Sequence, residues 1–130
     1  MVKINPTKRL SDREKAGVYN LWNQEYPANL RHTCMEDFDL YLSQLSNISS
    51  LLLTEDSEIL GWAFKFEREK EIWFAIIIDA KLHGRGFGTA LIQELKTEEE
   101  VLNGWVIDHN DYLKINGKSY QTPLGFYLKN

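Results

Sequence analysis

The stretch KLHGRGFGTALIQELK, residues 81–96, constrains the fold more than any other part of the chain. Glycines stand at positions 84, 86 and 88, between an apolar run and a segment with helical periodicity. The N-terminus of a helix leaves amide N–H groups unpaired and attracts anions. Glycine lets the backbone approach such an anion and adopt dihedrals closed to other residues. Three glycines in five positions exceed the needs of a turn, so the sequence predicts a phosphate-binding loop, to which Arg85 adds a charged donor.

Size and composition indicate an ordinary globular domain. With 130 residues, 43% apolar and 26% charged, the chain is expected to form one domain over residues 1–130. A net charge of -4 without a basic stripe argues against nucleic acid as a partner. The longest apolar run, IWFAIII at 72–78, is too short to span a membrane. The single cysteine and the lack of an apolar N-terminal leader favour a cytoplasmic protein.

Hydrophobic periodicity predicts the order β-α-α-β-β-β-α-β-α, an α+β domain with a mixed sheet. Capping boxes at 11–14 (SDRE) and 33–36 (TCME) are expected to open the first two helices. Strands at 49–54, 58–68 and 71–78 are separated by short polar turns, which is typical of an antiparallel meander. We expect a helix over 87–102, a strand over 104–108 and a last helix from Pro123.

Two common nucleotide-binding motifs fit the glycine loop poorly. A Walker loop requires Gly-Lys-Ser/Thr, which is absent. The dinucleotide fingerprint is G-x-G-x-x-G, whereas the spacing here is G-x-G-x-G. Asp108 does lie 20 residues after Gly88, where that fingerprint places its ribose-binding acid. Because the preceding strands are predicted to be antiparallel, a nicotinamide-dependent oxidoreductase is kept only as a minor alternative.

The loop and its surroundings resemble the GNAT superfamily of N-acetyltransferases. Its members share the motif Q/R-x-x-G-x-G/A, whose backbone amides hold the pyrophosphate of acetyl-coenzyme A. The matching stretch here runs from His83 to Gly88, with His83 in place of the usual Gln or Arg. The order of two helices, a meander, the glycine loop, a helix and a further strand also matches. The resemblance implies a GNAT-like mixed, mostly antiparallel sheet flanked by helices, without the usual C-terminal closing strands.

The resemblance also implies an activity: transfer of an acetyl group from acetyl-coenzyme A to a primary amine of a small molecule or peptide. The amine attacks the thioester directly, and no metal is required. A non-catalytic module that binds acyl-coenzyme A is the alternative. The implied cofactor-binding residues are Ile76, Ile77, Ile78, His83, Gly84, Arg85, Gly86, Phe87, Gly88, Thr89 and Asn110.

Three residues are candidates for proton transfer. Tyr127 matches the tyrosine on the family's last helix that protonates the leaving thiolate, and Tyr120 is a substitute. His109 and Asp79 each follow a predicted strand near the expected cleft, so either is a candidate to take the proton of the amine. The run DHND at 108–111 is not expected to hold a metal, because successive residues rarely converge on one ion.

The acceptor pocket is expected between the two early helices and the loop at 109–122. Family members usually continue into closing strands, whereas this sequence ends at Asn130. The expected strand at 105–108, which carries Trp105 and Ile107, is then an unpaired edge that invites association. Two explanations are open: another subunit covers that edge in a homo-oligomer, or the chain has been cut short.

Overall fold

A four-stranded antiparallel sheet forms the centre of the computed structural model, which describes residues 1–130. Its strands are β1 (Lys3–Thr7), β2 (Ser46–Glu55), β3 (Glu58–Arg68) and β4 (Glu71–Ile78), and their spatial order is their chain order. The β2–β3 and β3–β4 turns have two residues each, all with positive φ. Such turns match the twist of a hairpin, so the predicted meander is confirmed.

Four α-helices flank the sheet: α1 (Asp12–Glu25), α2 (Met35–Ser43), α3 (Phe87–Lys96) and α4 (Leu124–Lys129). The first capping box is confirmed, because Ser11 Oγ accepts from the Glu14 amide and the Glu14 carboxylate accepts from the Ser11 amide. The second is wrong: Cys34 occupies the N-cap position of α2 without a side-chain bond, and the Thr33 hydroxyl donates to Asp37 instead. No helix is long and apolar enough to cross a membrane.

The helices bury the two faces of the sheet in separate cores. Side chains alternate along β3, so Trp62 and Phe64 face α1 and α2, whereas Ala63 faces α3. Phe38 of α2 and Leu91 of α3 are fully buried against these two faces. The sheet is therefore covered on both faces, and its two edge strands are β1 and β4.

The helix after the glycine loop ends at Lys96 rather than at the predicted residue 102. Three glutamates, residues 98–100, follow it directly, and negative charge at a helix C-terminus opposes the helix dipole. Glu99 instead pairs with the Lys65 ammonium at 3.2 Å, and the same ammonium donates to the Leu95 carbonyl. The helix was predicted to reach residue 102 from hydrophobic periodicity, which takes no account of this charge effect.

The strand predicted over 104–108, and with it the edge strand at 105–108, is wrong. The segment pairs with β4 only through Asn103, which accepts from the Phe74 amide at 2.8 Å and donates to the Ile72 carbonyl at 2.9 Å. Gly104 then packs on Phe74, and Trp105 stacks on Trp73 with ring centroids 5.9 Å apart. These ring contacts turn the chain away, so apart from Asn103 this segment leaves the outer edge of β4 unpaired.

Candidate active site

The glycine loop has the backbone conformation that its sequence requires. Gly86 caps α3 with a φ of 86°, and Gly84 has a φ of 76°. A Cβ atom added at either position would meet nothing within 4 Å, so open space lies over the loop. Gly88 serves another purpose: a Cβ there would lie 3.0 Å from the ring of Phe126, so its absence lets α4 pack on the first turn of α3.

The amides of this loop are free. None of the six main-chain N–H groups from Gly84 to Thr89 donates a hydrogen bond within the chain, and Ala90 is the first to do so, to the Gly86 carbonyl at 3.1 Å. Unpaired amides at the start of a helix carry partial positive charge and bind anions. Arg85, whose guanidinium lies 5.5 Å from the centroid of the Phe87 ring, adds a full positive charge. The donor set fits a diphosphate.

His83 connects this loop to the sheet. Its Nε2 lies 2.8 Å from the Ile78 carbonyl at the end of β4. The ring thus bonds to main chain of its own protein, at the position where the family motif has Gln or Arg. We infer that His83 sets the angle between the glycine loop and β4.

The outer edge of β4 offers main-chain groups beside the loop. Alternate residues of an antiparallel strand direct both N–H and C=O to the same side. The Phe74 amide and the Ile78 carbonyl bond away from β3, so those of Ile76 also face outward. Ile77, which lies opposite Trp62, directs its main-chain groups into the sheet. Of the three predicted isoleucines, therefore, Ile76 and Ile78 present main-chain groups at the open edge.

A cleft of about 890 Å³ runs along this edge. Residues of α1, α2, α4 and the loop before α4 line it, at the place where the acceptor pocket is expected. Aromatic rings dominate its walls, among them Trp22, Tyr26, Tyr41, Phe74, Tyr120 and Tyr127. A polar groove of about 950 Å³ lies elsewhere, between α1 and the β2–β3 hairpin.

Tyr127 lies in the aromatic cleft. Its ring meets Phe74 edge-on at 5.6 Å, beside the outward-facing part of β4. Burial, assisted by Tyr120, raises the pKa of Tyr127 to about 12, so the phenol stays protonated at physiological pH. Burial also raises the pKa of Tyr120. A neutral phenol at this place is suited to donating a proton.

The other two candidates for proton transfer do not line the cleft that contains Tyr127. Asp79 lines the polar groove, and its carboxylate accepts from the Lys81 amide at 3.0 Å and from the Gln24 amide group at 3.1 Å. His109 Nδ1 accepts from the Asp111 amide at 3.1 Å in the loop after Asn103. The structure therefore does not bring Tyr127, His109 and Asp79 together.

Asn110 has a structural role in the same loop. Its side-chain oxygen accepts from the Thr122 amide at 2.8 Å, and its carbonyl accepts from the Ser119 hydroxyl at 2.7 Å. These bonds close the loop between residues 110 and 122, just before α4. Asn110 thereby helps to hold the segment that carries Tyr120 and leads to Tyr127.

A buried ion pair that sequence reasoning missed joins this loop to α1. Lys114 Nζ lies 3.2 Å from Glu25 Oε1, and the two side chains are only 12% and 7% exposed. The second oxygen of Glu25 accepts from the Ala80 amide at 3.1 Å, directly after β4. Because 89 residues separate the partners, no local sequence pattern signals the pair. It ties the loop, the end of α1 and the end of β4 together.

Removing one partner of this pair is expected to be costly. Glu25→Gln or Lys114→Met leaves the other charge buried without its partner, which typically costs about 3–5 kcal/mol of unfolding free energy. The double variant should recover part of that loss. Urea unfolding of the three variants measures the coupling, and losses that simply add would show that the two charges do not interact.

Comparisons with known proteins agree with this geometry. Residues 15–110 match the model of the acetyltransferase (GNAT) family. The match covers well over half of the sequence, and the chain belongs to that family. No curated protein sequence is significantly similar.

Solved structures share the fold at low identity. A protein of unknown function from methicillin-resistant Staphylococcus aureus, a probable acetyltransferase, is 11% identical with a TM-score of 0.66, and 99% of this chain covers 87% of that one. The ribosomal-protein-S18-alanine N-acetyltransferase of Escherichia coli is 17% identical with a TM-score of 0.58, over 92% of this chain and 88% of that one. A phosphinothricin acetyltransferase from Sinorhizobium meliloti, solved with acetyl-coenzyme A, is 11% identical with a TM-score of 0.56. The match covers 71% of this chain and 57% of that one. At these identities the likeness shows the fold alone.

Proposed function

We propose that this protein transfers an acetyl group from acetyl-coenzyme A to a primary amine by direct attack. One observation carries the proposal: six consecutive unpaired amides at the start of α3 continue into the open edge of β4. Together they form one line of main-chain donors and acceptors. The solved phosphinothricin acetyltransferase, which shares the fold, contains acetyl-coenzyme A.

The cofactor would lie along that line. The amides from Gly84 to Thr89 hold its diphosphate, and Arg85 adds charge. The extended arm follows the free edge past Ile78 and pairs with the outward groups of Ile76, as an added strand does. This order brings the thioester to the middle of β4, beside Tyr127.

The chemistry requires three contributions from the chain. When the amine nitrogen attacks the thioester carbon, a C–N bond forms, the C–S bond breaks and the sulfur leaves with the electron pair. The Ile76 N–H, which faces outward, stabilises the negative charge that develops on the carbonyl oxygen. Tyr127, whose pKa is raised to about 12, donates the proton that the leaving thiolate takes. The proton that the attacking nitrogen releases as the amide forms returns to the Tyr127 phenolate through water, which restores the phenol.

The amine must be neutral when it attacks. Transfer of the amine from water into the cleft lowers its pKa, because burial penalises the charged form of an amine. Asp79 and His109, the sequence-based candidates for the base, do not line this cleft and already accept main-chain N–H groups. We therefore assign the loss of this proton to desolvation of the amine and transfer to water.

A thermal-shift experiment tests the proposal. Coenzyme A should stabilise the protein by about 2.7 kcal/mol at a concentration of one hundred times its Kd. NAD, which carries a diphosphate but has no pantetheine arm to pair with the edge of β4, should stabilise it less than coenzyme A at the same concentration. Pantetheine, which lacks the diphosphate, should stabilise it much less than coenzyme A. Equal stabilisation by coenzyme A and pantetheine would contradict the assigned role of the loop amides.

A thiol-release assay with acetyl-coenzyme A and a panel of amines separates the enzyme from the binding module. Release that depends on the amine supports transfer. Stabilisation by coenzyme A without any amine-dependent release would favour the non-catalytic alternative.

A further inference from the structure

We propose that the acceptor is a primary alkyl amine that bears an aromatic ring and, at the end far from its amino group, a carboxylate, and that Arg68 binds this carboxylate. The inference rests on the proposed function and names the substrate class of the same cleft. Its basis is an unpaired guanidinium held against aromatic rings at the end of the cleft opposite the glycine loop.

Arg68 is positioned without a counter-ion. Its guanidinium carbon lies 5.3 Å from the centroid of the Phe66 ring and 5.7 Å from that of Trp73. It forms no salt bridge with any carboxylate of the chain. Stacking on two rings orients the planar fork while leaving its N–H groups free, and such a fork matches a carboxylate in bidentate geometry. Arg68 is thus a ready anion-binding group in the cleft wall.

The other charged groups of the cleft lie on the opposite face of the sheet. Lys65 projects towards α3 and pairs with Glu99, and Arg68, three residues further along β3, projects to the face of α1 and α2. Lys96 donates to the Asn130 carbonyl. Glu100 follows Glu99, beyond the end of α3 at Lys96. Arg68 is therefore the one charged residue of the sheet that lines the cleft.

The remaining lining on that side is aromatic. Trp22, Tyr41 and Trp73 line the cleft on the side of Arg68. The positive charge of Arg68 partly offsets the rise that burial causes in the pKa of Tyr41, as expected if the two groups are close. A ligand carboxylate beside Arg68 offers oxygen acceptors to the guanidinium, while a ring fits the walls.

The strand sets the distance between the two ends of the acceptor. The proposed thioester lies at Ile76, and Arg68 covers the ring of Trp73, three residues back along β4. Three residues of strand span about 10 Å. An α-amino acid, whose carboxylate adjoins its amine, is too short for this distance. A benzene ring between the two groups lengthens the acceptor towards this distance.

A matched trio of amines tests the inference: 4-(aminomethyl)benzoate, the corresponding 4-(aminomethyl)benzamide, and benzylamine. We expect kcat/KM for the benzoate to exceed that for the benzamide by roughly 10- to 100-fold, the value of a charge-assisted pair. Phenylalanine, with its carboxylate next to the amine, should be a poor acceptor. Equal kcat/KM for the benzoate and the benzamide would overturn the inference.

Variants assign the preference to Arg68. Arg68→Gln should reduce the benzoate-to-benzamide ratio of kcat/KM to about one, and Arg68→Lys should restore part of it. Arg9→Gln, which changes an exposed arginine outside the cleft, should leave the ratio as in the parent protein. A ratio that survives Arg68→Gln would show that another group reads the carboxylate and would overturn the assignment.

The outcomes separate this inference from the proposed function. Suppose that coenzyme A stabilises the protein and an aliphatic polyamine is acetylated, while the benzoate, the benzamide and benzylamine are all inert. The inference then fails and the proposed function stands. If coenzyme A neither stabilises the protein nor supports transfer to any amine, the proposed function fails.

Discussion

Replacing Gly86 with valine is expected to weaken coenzyme A binding by roughly 100-fold or more. Gly86 has a φ of 86°, and a β-branched residue strongly disfavours that conformation. The loop would change its dihedrals and turn its amides away from the phosphates. Losing two charge-assisted bonds of about 1.5–3 kcal/mol each accounts for the expected factor. Isothermal titration calorimetry with coenzyme A measures it directly.

Gly117→Val provides the matched control for this substitution. Gly117 has a φ of 82°, and a Cβ there also meets nothing within 4 Å. Gly117 lies outside the glycine loop, so its substitution should cause the same backbone strain of about 1–2 kcal/mol. The affinity of this variant for coenzyme A should be unchanged. If Gly86→Val retained the parent affinity, or if both variants lost affinity equally, the proposed diphosphate site would be wrong.

Replacing Tyr127 with phenylalanine is expected to reduce kcat by about 100- to 1000-fold while coenzyme A still binds. The phenyl ring keeps the edge-on contact with Phe74, so the packing of α4 survives and only the proton donor is lost. General acid catalysis contributes within this range. Because the pKa of Tyr127 is raised to about 12, the parent enzyme should not lose activity through this group between pH 7 and about pH 10.

Two further tyrosines make this prediction specific. Tyr19→Phe removes a hydroxyl that donates to the His32 carbonyl, outside the cleft, and should leave kcat unchanged. Tyr120→Phe distinguishes the substitute candidate, because Tyr120 lines the same cleft. A parent-like kcat in Tyr127→Phe together with a large loss in Tyr120→Phe would transfer the role to Tyr120.

The predictable part of the fold is the part that local patterns determine. The meander follows from alternating side chains and two-residue polar turns, and the capping box at Ser11 follows from residues three positions apart. The glycine loop belongs to the same class, since the conformations at Gly84 and Gly86 are properties of single residues.

The capping box at 33–36 and the end of α3 were wrong for local reasons, whereas the other differences depend on distant parts of the chain. The segment after α3 leaves β4 because Gly104 meets Phe74 and Trp105 meets Trp73, contacts between residues about thirty positions apart. The Glu25–Lys114 pair and the place of Arg68 against Trp73 likewise depend on the assembled sheet. His109 and Asp79 were chosen because they follow predicted strands, and for His109 that strand does not exist.

The outward main-chain groups of Ile76 and the free amides of the glycine loop have an evolutionary consequence under the proposed function. Peptide groups are the same in every residue, so a ligand held by them places little demand on the identity of side chains. Mutation can then replace most side chains of such a strand while the strand still binds the same ligand. Folds that agree at 11–17% identity, as in the three relatives compared above, are what this tolerance would produce.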